Sequence, residues 1–265
     1  GIFDDVLALK PSQKFIFQLI ATAIPVYCGV RITSLPNFFG GANAYISLNI
    51  YAQYIVTIIW LLGILNAVNL IDGLDGLAVG VSAIMAVCVT VIVVLLQSPA
   101  VAIIAAALAG SCLGFIPYNY NPAKLFMGDT GSMFIGYTLA VMSVMGLFKA
   151  YAIIAFAIPF LIFGLPIFDM IFVSIRRVLN GKSPMAADKT HLHHRLIDLG
   201  FTQKQAVAIM YAIAAILGLT AVLIAGEGFM RAIVLVIIVF IVVIMCSLIM
   251  YKHKIHRGIK NDKQN

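Results

Sequence analysis

Charge is what this sequence has least of. Only 10% of its 265 residues are Asp, Glu, Lys or Arg, against about 25% in a soluble domain. By contrast 63% are hydrophobic, and mean hydropathy is +1.08. Such a chain cannot cover a soluble surface, so it reads as a polytopic membrane protein. The four cysteines, Cys28, Cys88, Cys112 and Cys246, stand alone in or beside apolar segments. With no CxxC pair and no histidine nearby, they read as small packing residues. No hydrophilic linker is long enough to separate two domains, so residues 1–265 read as one transmembrane domain ending in a basic tail, 251–265. No internal repeat is visible either. That counts against a secondary transporter, whose polar helix breaks lie near the bilayer midplane, often in repeated halves.

About 20 apolar residues cross a bilayer. On that measure there are eight spans, at 15–32, 46–65, 78–96, 100–118, 133–148, 151–173, 206–225 and 230–250. The expected fold is therefore all-α, a polytopic helical bundle. Gly110 and Gly114 place small residues four apart, a spacing that favours close helix packing in lipid. Pro159 and Pro166 should bend the sixth span. The chain opens on Gly1 rather than methionine, and its first residues resemble the end of a span. The expectation is that an N-terminal part precedes them.

Placed alternately on two sides, the connections divide the basic residues fourteen to three. By the positive-inside rule the richer side is cytoplasmic. Basic charge is thus largely topology, and no nucleic-acid partner is needed to explain it. Of the acids, only Glu227 falls on the outer side. Four loops bring acids, amides and bases to one face, which points to a site open to the cytoplasm.

The most informative stretch is Asn66–Ala78, NAVNLIDGLDGLA, between two apolar runs. Asn66, Asn69, Asp72 and Asp75 recur every third residue, and Asp-Gly occurs twice. Asp-Gly favours a turn, because glycine allows positive φ and close approach to the backbone. Asp4 and Asp5, followed by Lys10 and Lys14, read either as a helix cap or as a metal- or proton-handling pair with lysines for a phosphate. Asn119, Phe126 and the run Gly128–Ser132, GDTGS, precede another span. Asp129 there can cap a helix or present oxygen to a hard cation such as Mg²⁺. His191, His193, His194 and Arg195 crowd five residues. Lacking a cysteine partner or HExxH, they suit a phosphate or sugar better than zinc.

Taken together, NAVNLIDGLDGLA, FMGDTGS, HLHHR and the preceding DDxxxLKPxxK resemble the polyprenyl-phosphate N-acetylhexosamine-1-phosphate transferases. The resemblance runs in order from Gly1 to about Gly200. HLHHR is similar to the branch that initiates teichoic acid, O-antigen and related glycans. The peptidoglycan branch, with a muramoyl-pentapeptide donor, carries three histidines followed by Phe-Glu. Members have about eleven spans, so about three are expected to precede this chain.

The resemblance implies roles for single residues. Asp129 would ligate Mg²⁺, with Mn²⁺ as a substitute, and Asn69 would approach the metal and diphosphate. Asp72, Gly73, Leu74 and Asp75 would line the nucleotide pocket. Phe126 would stack on uracil, with Asn119 facing the nucleotide. Lys14 and Arg195 would contact diphosphate and sugar, beside His191, His193 and His194. Asp4 and Asp5 match an acidic pair required for activity. The implied reaction joins N-acetylglucosamine 1-phosphate from UDP-N-acetylglucosamine to undecaprenyl phosphate, at the cytoplasmic face of a bacterial inner membrane. The alternatives within the family are a phospho-N-acetylmuramoyl-pentapeptide transferase or an enzyme with another UDP-N-acetylhexosamine donor. The oligomeric state is left open, a homodimer being one of the assemblies compatible with the sequence.

Overall fold

A computed structural model describes residues 1–2, 5, 10–37, 45–148, 156–181 and 191–226. Asp4, the expected eighth span and the basic tail lie outside the described residues. The chain is a helical bundle with one small hairpin. Helix α1 is Pro11–Tyr27. Strands β1 (Ser34–Pro36) and β2 (Tyr45–Ser47) pair antiparallel, Leu35 opposite Ile46. They form the loop expected to join the first two spans.

Helix α2 (Ile50–Leu70) starts where the Asn49 side chain accepts the Ala52 N–H at 2.9 Å. That contact satisfies one of the unpaired donors of a helix start. After the turn 71–76 come α3 (Leu77–Leu95) and α4 (Pro99–Asn119). Helix α5 (Gly128–Met142) runs on into a π turn, Ser143–Leu147. Here Ser143 Oγ accepts the Trp60 indole N–H at 2.8 Å and donates to the Ala140 carbonyl at 2.7 Å.

The sixth expected span is broken, as its prolines require. Helix α6 (Ala157–Ile162) stops at Phe163, and α7 (Gly164–Leu179) restarts there. Pro166 falls in the first turn of α7, where its missing N–H costs no hydrogen bond. A short helix α8 (Leu192–Asp198) and the long α9 (Gln203–Gly226) follow. Among the described residues five helices are long and apolar enough to cross a membrane: α2, α3, α4, α5 with its π turn, and α9. The protein is a multi-pass membrane protein.

Helix α3 is the core. Every residue from Leu77 to Ala83 is buried, which a helix achieves only when neighbours surround it. It packs on α4 and α9, while α2 packs on α5 and α1. Two glycines set the crossings. A β-carbon on Gly136 would stand 3.0 Å from the Leu65 carbonyl oxygen, so α5 touches the α2 backbone. Gly80 of α3 leaves room for the Tyr211 ring of α9. The expected packing at Gly110 and Gly114 is not made among the described residues. Both are exposed, and a β-carbon on either would meet nothing within 4 Å. Close approach went instead to glycines facing backbone or a large ring.

Element boundaries correct the expectations in one important respect. The α2 helix continues to Leu70, so Asn66 and Asn69 are helical and the break begins only at Ile71. Likewise GDTGS is not a loop before the helix but its first turn. Alternation of direction gathers the end of α2, the starts of α3 and α5, the end of α4 and the start of α9 at one charged end.

Candidate active site

The turn 71–76 is the hub of that charged end, and successive residues of NAVNLIDGLDGLA reach different partners. Asn66 points inward to α1, where it and Gln18 exchange amide hydrogen bonds of 3.1 and 2.9 Å. One turn on, the Asn69 amide donates at 2.8 Å to Asp129 Oδ1 and at 2.8 Å to Ser132 Oγ. Because a carboxylate only accepts, this fixes the orientation of the amide and leaves its oxygen as the atom available to a ligand. Lys14 of α1 forms an ion pair with Asp129 Oδ2. Three helices thus meet at one carboxylate.

Asp72 faces the same carboxylate from the turn. Its pKa is pushed up to about 6, first by burial and then by the charge of Asp129. Asp5 approaches Asp129 from the other side. Its Oδ1 accepts the Asp129 N–H at 2.9 Å, and its Oδ2 accepts the Thr130 N–H at 3.0 Å and the Thr130 hydroxyl. The cap of α5 therefore comes from a remote segment, not from the Asp, Thr and Ser of GDTGS as expected.

Asp75 and Asn119 act as clamps. Asp75 Oδ2 accepts from the Asn121 amide at 2.9 Å and the Ala123 N–H at 3.2 Å, and Asn121 also donates to Gln203 at 2.9 Å. Buried Asn119 accepts the Gly76 N–H at 3.1 Å and donates to the Leu125 carbonyl at 2.8 Å. Together they hold the loop 120–125 against the turn. At the end of that loop Phe126 is 77% exposed, a free aromatic face of the kind a base stacks on. The turn needs positive φ at Gly76, +79°, and Tyr211 donates its hydroxyl to the Gly76 carbonyl.

The histidines form the far wall. Asp169, a lone acid in α7, accepts the Leu192 N–H at 2.7 Å and lies 2.9 Å from His191 Nδ1. It caps α8 and fixes the histidine loop to the bundle. His193 is stacked on His191, ring centroids 5.7 Å apart, and tilted against His194 at 4.3 Å. It is 1% exposed, and among the described residues neither ring nitrogen has a hydrogen-bond partner. Burial first, then the neighbouring His194, lowers its pKa to about 4. His193 packs directly on Gly73, beside Asp72. The Arg195 guanidinium lies 4.4 Å from the Phe172 ring centroid.

Several of the expected residues lie together. Lys14, Asn69, Asp72 and Asp129 form one cluster, and Gly73 joins it to His191, His193 and His194. Asp75 and Asn119 are spent on holding loops. Asp5, Thr130 and Ser132 complete the first turn of α5. Asp169 and Asn121 were not assigned from sequence; a single acid within an apolar span was the available signal for the first. Among the described residues no group of three or more His, Cys, Asp or Glu side chains is arranged for a metal. Two apolar clefts flank α2. One, of about 410 Å³, has Lys14 and Thr130 at its charged end and Phe17, Leu65, Met133 and Phe134 along its walls. The other, of about 320 Å³, lies between Trp60 and Ile64 of α2 and Ile167, Met170 and Ile171 of bent α7.

Residues 1–147 match the sequence model of Glycosyl transferase family 4. The chain belongs to that family. It is 38% identical over 252 residues to a probable undecaprenyl-phosphate N-acetylglucosaminyl 1-phosphate transferase of Bacillus subtilis, covering 94% of this chain and 68% of that protein. A decaprenyl-phosphate N-acetylglucosaminephosphotransferase of Mycolicibacterium smegmatis is 34% identical over 232 residues, 80% of this chain and 56% of the relative. Phospho-N-acetylmuramoyl-pentapeptide-transferase of a Nostoc species is 38% identical over 134 residues, 49% of this chain and 36% of the relative. The family match covers α1 through the π turn, hence Asp5, Lys14, Asn69, Asp72 and Asp129. The histidine loop lies beyond it.

Proposed function

We propose that the protein transfers N-acetylglucosamine 1-phosphate from UDP-N-acetylglucosamine to undecaprenyl phosphate, giving undecaprenyl-diphospho-N-acetylglucosamine and UMP. The observation that carries this reading is the meeting of Lys14, Asn69, Asp72 and Asp129 at the charged end of the bundle, with an apolar cleft opening beside Lys14 and Thr130. Alignment of 94% of the chain with the N-acetylglucosamine enzyme, against 49% with the muramoyl enzyme, supports the donor.

In this reaction an oxygen of the lipid phosphate bonds to the β-phosphorus of the donor. The bond from that phosphorus to the bridging oxygen breaks, and its electron pair leaves with UMP. Both reactants are anions, so the chain must offset their repulsion. Lys14 supplies a positive charge beside Asp129, and Arg195 supplies a second from α8. Phe126 offers a stacking face for the base, while the turn 71–76 and the loop it clamps form the rest of the nucleotide pocket. The clefts beside α2 give the isoprenoid chain apolar walls.

The donor set suits Mg²⁺, with Mn²⁺ as a substitute. Asp129, Asp72 and the Asn69 amide oxygen are hard oxygen donors. Asp72, whose carboxyl is held above its ordinary range by burial first and then by the Asp129 charge, would gain a counter-charge from such an ion. With fewer than three acidic ligands, the rest of an octahedral shell would come from water and substrate phosphate, the usual habit of Mg²⁺. Bound there, the ion would neutralise charge developing on the diphosphate. The fourteen-to-three division of basic residues supports a bacterial inner-membrane location with this end in the cytoplasm.

The test is a radiolabel assay on membranes containing the full-length protein, with undecaprenyl phosphate, Mg²⁺ and a panel of labelled UDP-sugars. Label should enter lipid from UDP-N-acetylglucosamine, with UMP released. Labelling from the muramoyl-pentapeptide donor alone would overturn the donor assignment.

A further inference from the structure

Among the described residues, three hydrogen bonds reach the Asp5 carboxylate, all from the first turn of α5, namely the Asp129 and Thr130 N–H groups at 2.9 and 3.0 Å and the Thr130 hydroxyl. The first N–H groups of a helix have no partner within it, and Met127, which precedes α5, provides no side-chain cap. Gly128 is fitted to the contact twice over. Its φ is +62°, and a β-carbon on it would stand 3.1 Å from both Asp5 oxygens. A negative charge is also favoured at this end of a helix. Both oxygens of the Asp5 carboxylate are thus engaged by this one helix turn.

We propose that Asp5 is a positioning residue that fixes the first turn of α5, and with it Asp129 opposite Asn69 and Lys14. Its effect on turnover rests on the transferase reading; its effect on α5 does not. Asparagine keeps an oxygen that can accept from the helix but cannot act as a base, whereas alanine keeps neither.

The experiment compares Asp5→Asn, Asp5→Ala and Thr130→Val in the full-length protein, by turnover and by hydrogen exchange of the amides of residues 129–131. Asp5→Ala should lose about 100-fold in kcat, the scale of a misplaced reactive group, and exchange these amides roughly tenfold faster, as loss of a cap implies. Asp5→Asn, which keeps one of the two accepting oxygens, should keep at least about a tenth of kcat, with protection between wild type and Asp5→Ala. Thr130→Val, which leaves every carboxylate in place, should fall between them. An Asp5→Asn protein as inactive as Asp5→Ala, but with these amides still protected, would overturn the proposal. If the wild-type protein transfers no sugar phosphate, the transferase reading fails, and exchange alone decides: equal protection in wild type and Asp5→Ala overturns the positioning role.

Discussion

The His193 imidazole occupies the space that a β-carbon on Gly73 would need. The glycine-bearing turn and the histidine loop, 120 residues apart in sequence by numbering (193 against 73), are pressed together at this point. A methyl group at residue 73 must therefore push His193 out. Gly73→Ala should cost about 1–3 kcal/mol of stability, the usual range for overpacking, and lower turnover as well. Adding His193→Ala should recover most of that stability without restoring turnover. Thermal unfolding of the two single variants and the double variant, with the coupling taken from the cycle, checks this. Additive losses would mean that the two residues are not in contact.

Burial of His193 also predicts a pH dependence. The folded protein holds its pKa near 4, through burial first and then His194, opposed by Asp169 and reinforced by His191. An unfolded histidine titrates near 6.5. Above pH 6.5 neither state binds the proton, and the stability is fully present. As pH falls from 6.5 towards 4, the unfolded chain takes up a proton that the folded chain refuses, and up to about 3 kcal/mol is lost. Melting temperatures measured across this window should fall more steeply for wild type than for His193→Leu. Parallel curves would show that His193 is not buried neutral.

Much of this is readable in the sequence, and the exceptions have physical causes. Apolar runs locate the long helices because membrane length fixes their scale. The prolines locate the α6–α7 break because the lost N–H must fall at a helix start. Where α2 ends is not legible, since Asn69 is as polar as the turn that follows. Only the structure shows its amide facing Asp129 across the bundle. For the same reason Asp75 and Asn119 cannot be told from ligand-binding residues: a carboxylate and an amide hold a loop with the same hydrogen bonds that would hold a nucleotide. The Gly110 and Gly114 spacing is legible but silent about what it faces, whereas isolated Gly136 and Gly80 carry the tight crossings.

A divalent cation held by Asp129 as proposed would compete with Lys14, whose ammonium is paired to Asp129 Oδ2. Lys14→Met should accordingly bind Mn²⁺ more tightly when no substrate is present, by roughly fivefold, the scale of a partly exposed ion pair. The same variant should lose turnover because the phosphate loses its counter-charge. Electron paramagnetic resonance titration of Mn²⁺ measures the first effect independently of the second. Weaker Mn²⁺ binding in Lys14→Met would show that the lysine does not compete with the metal.

Gly136 sets the distance between the two helices that carry Asn69 and Asp129. It lies seven residues after Asp129, about 10 Å along α5, and a β-carbon there would stand 3.0 Å from the Leu65 carbonyl and 3.1 Å from Val68 Cβ. Backbone cannot rotate away as a side chain can, so Gly136→Val must move α5 off α2. The 2.8 Å contact from Asn69 to Asp129 sits two turns from that wedge and should open with it. Expected are a loss of about 1–3 kcal/mol in stability and a loss of turnover nearer 100-fold, because displacement by about 1 Å is enough to spoil a reactive geometry. Gly110→Val is the control, since nothing lies within 4 Å of that position among the described residues, and it should change neither quantity appreciably. Equal effects from the two valines would mean that helix spacing at Gly136 does not govern the site.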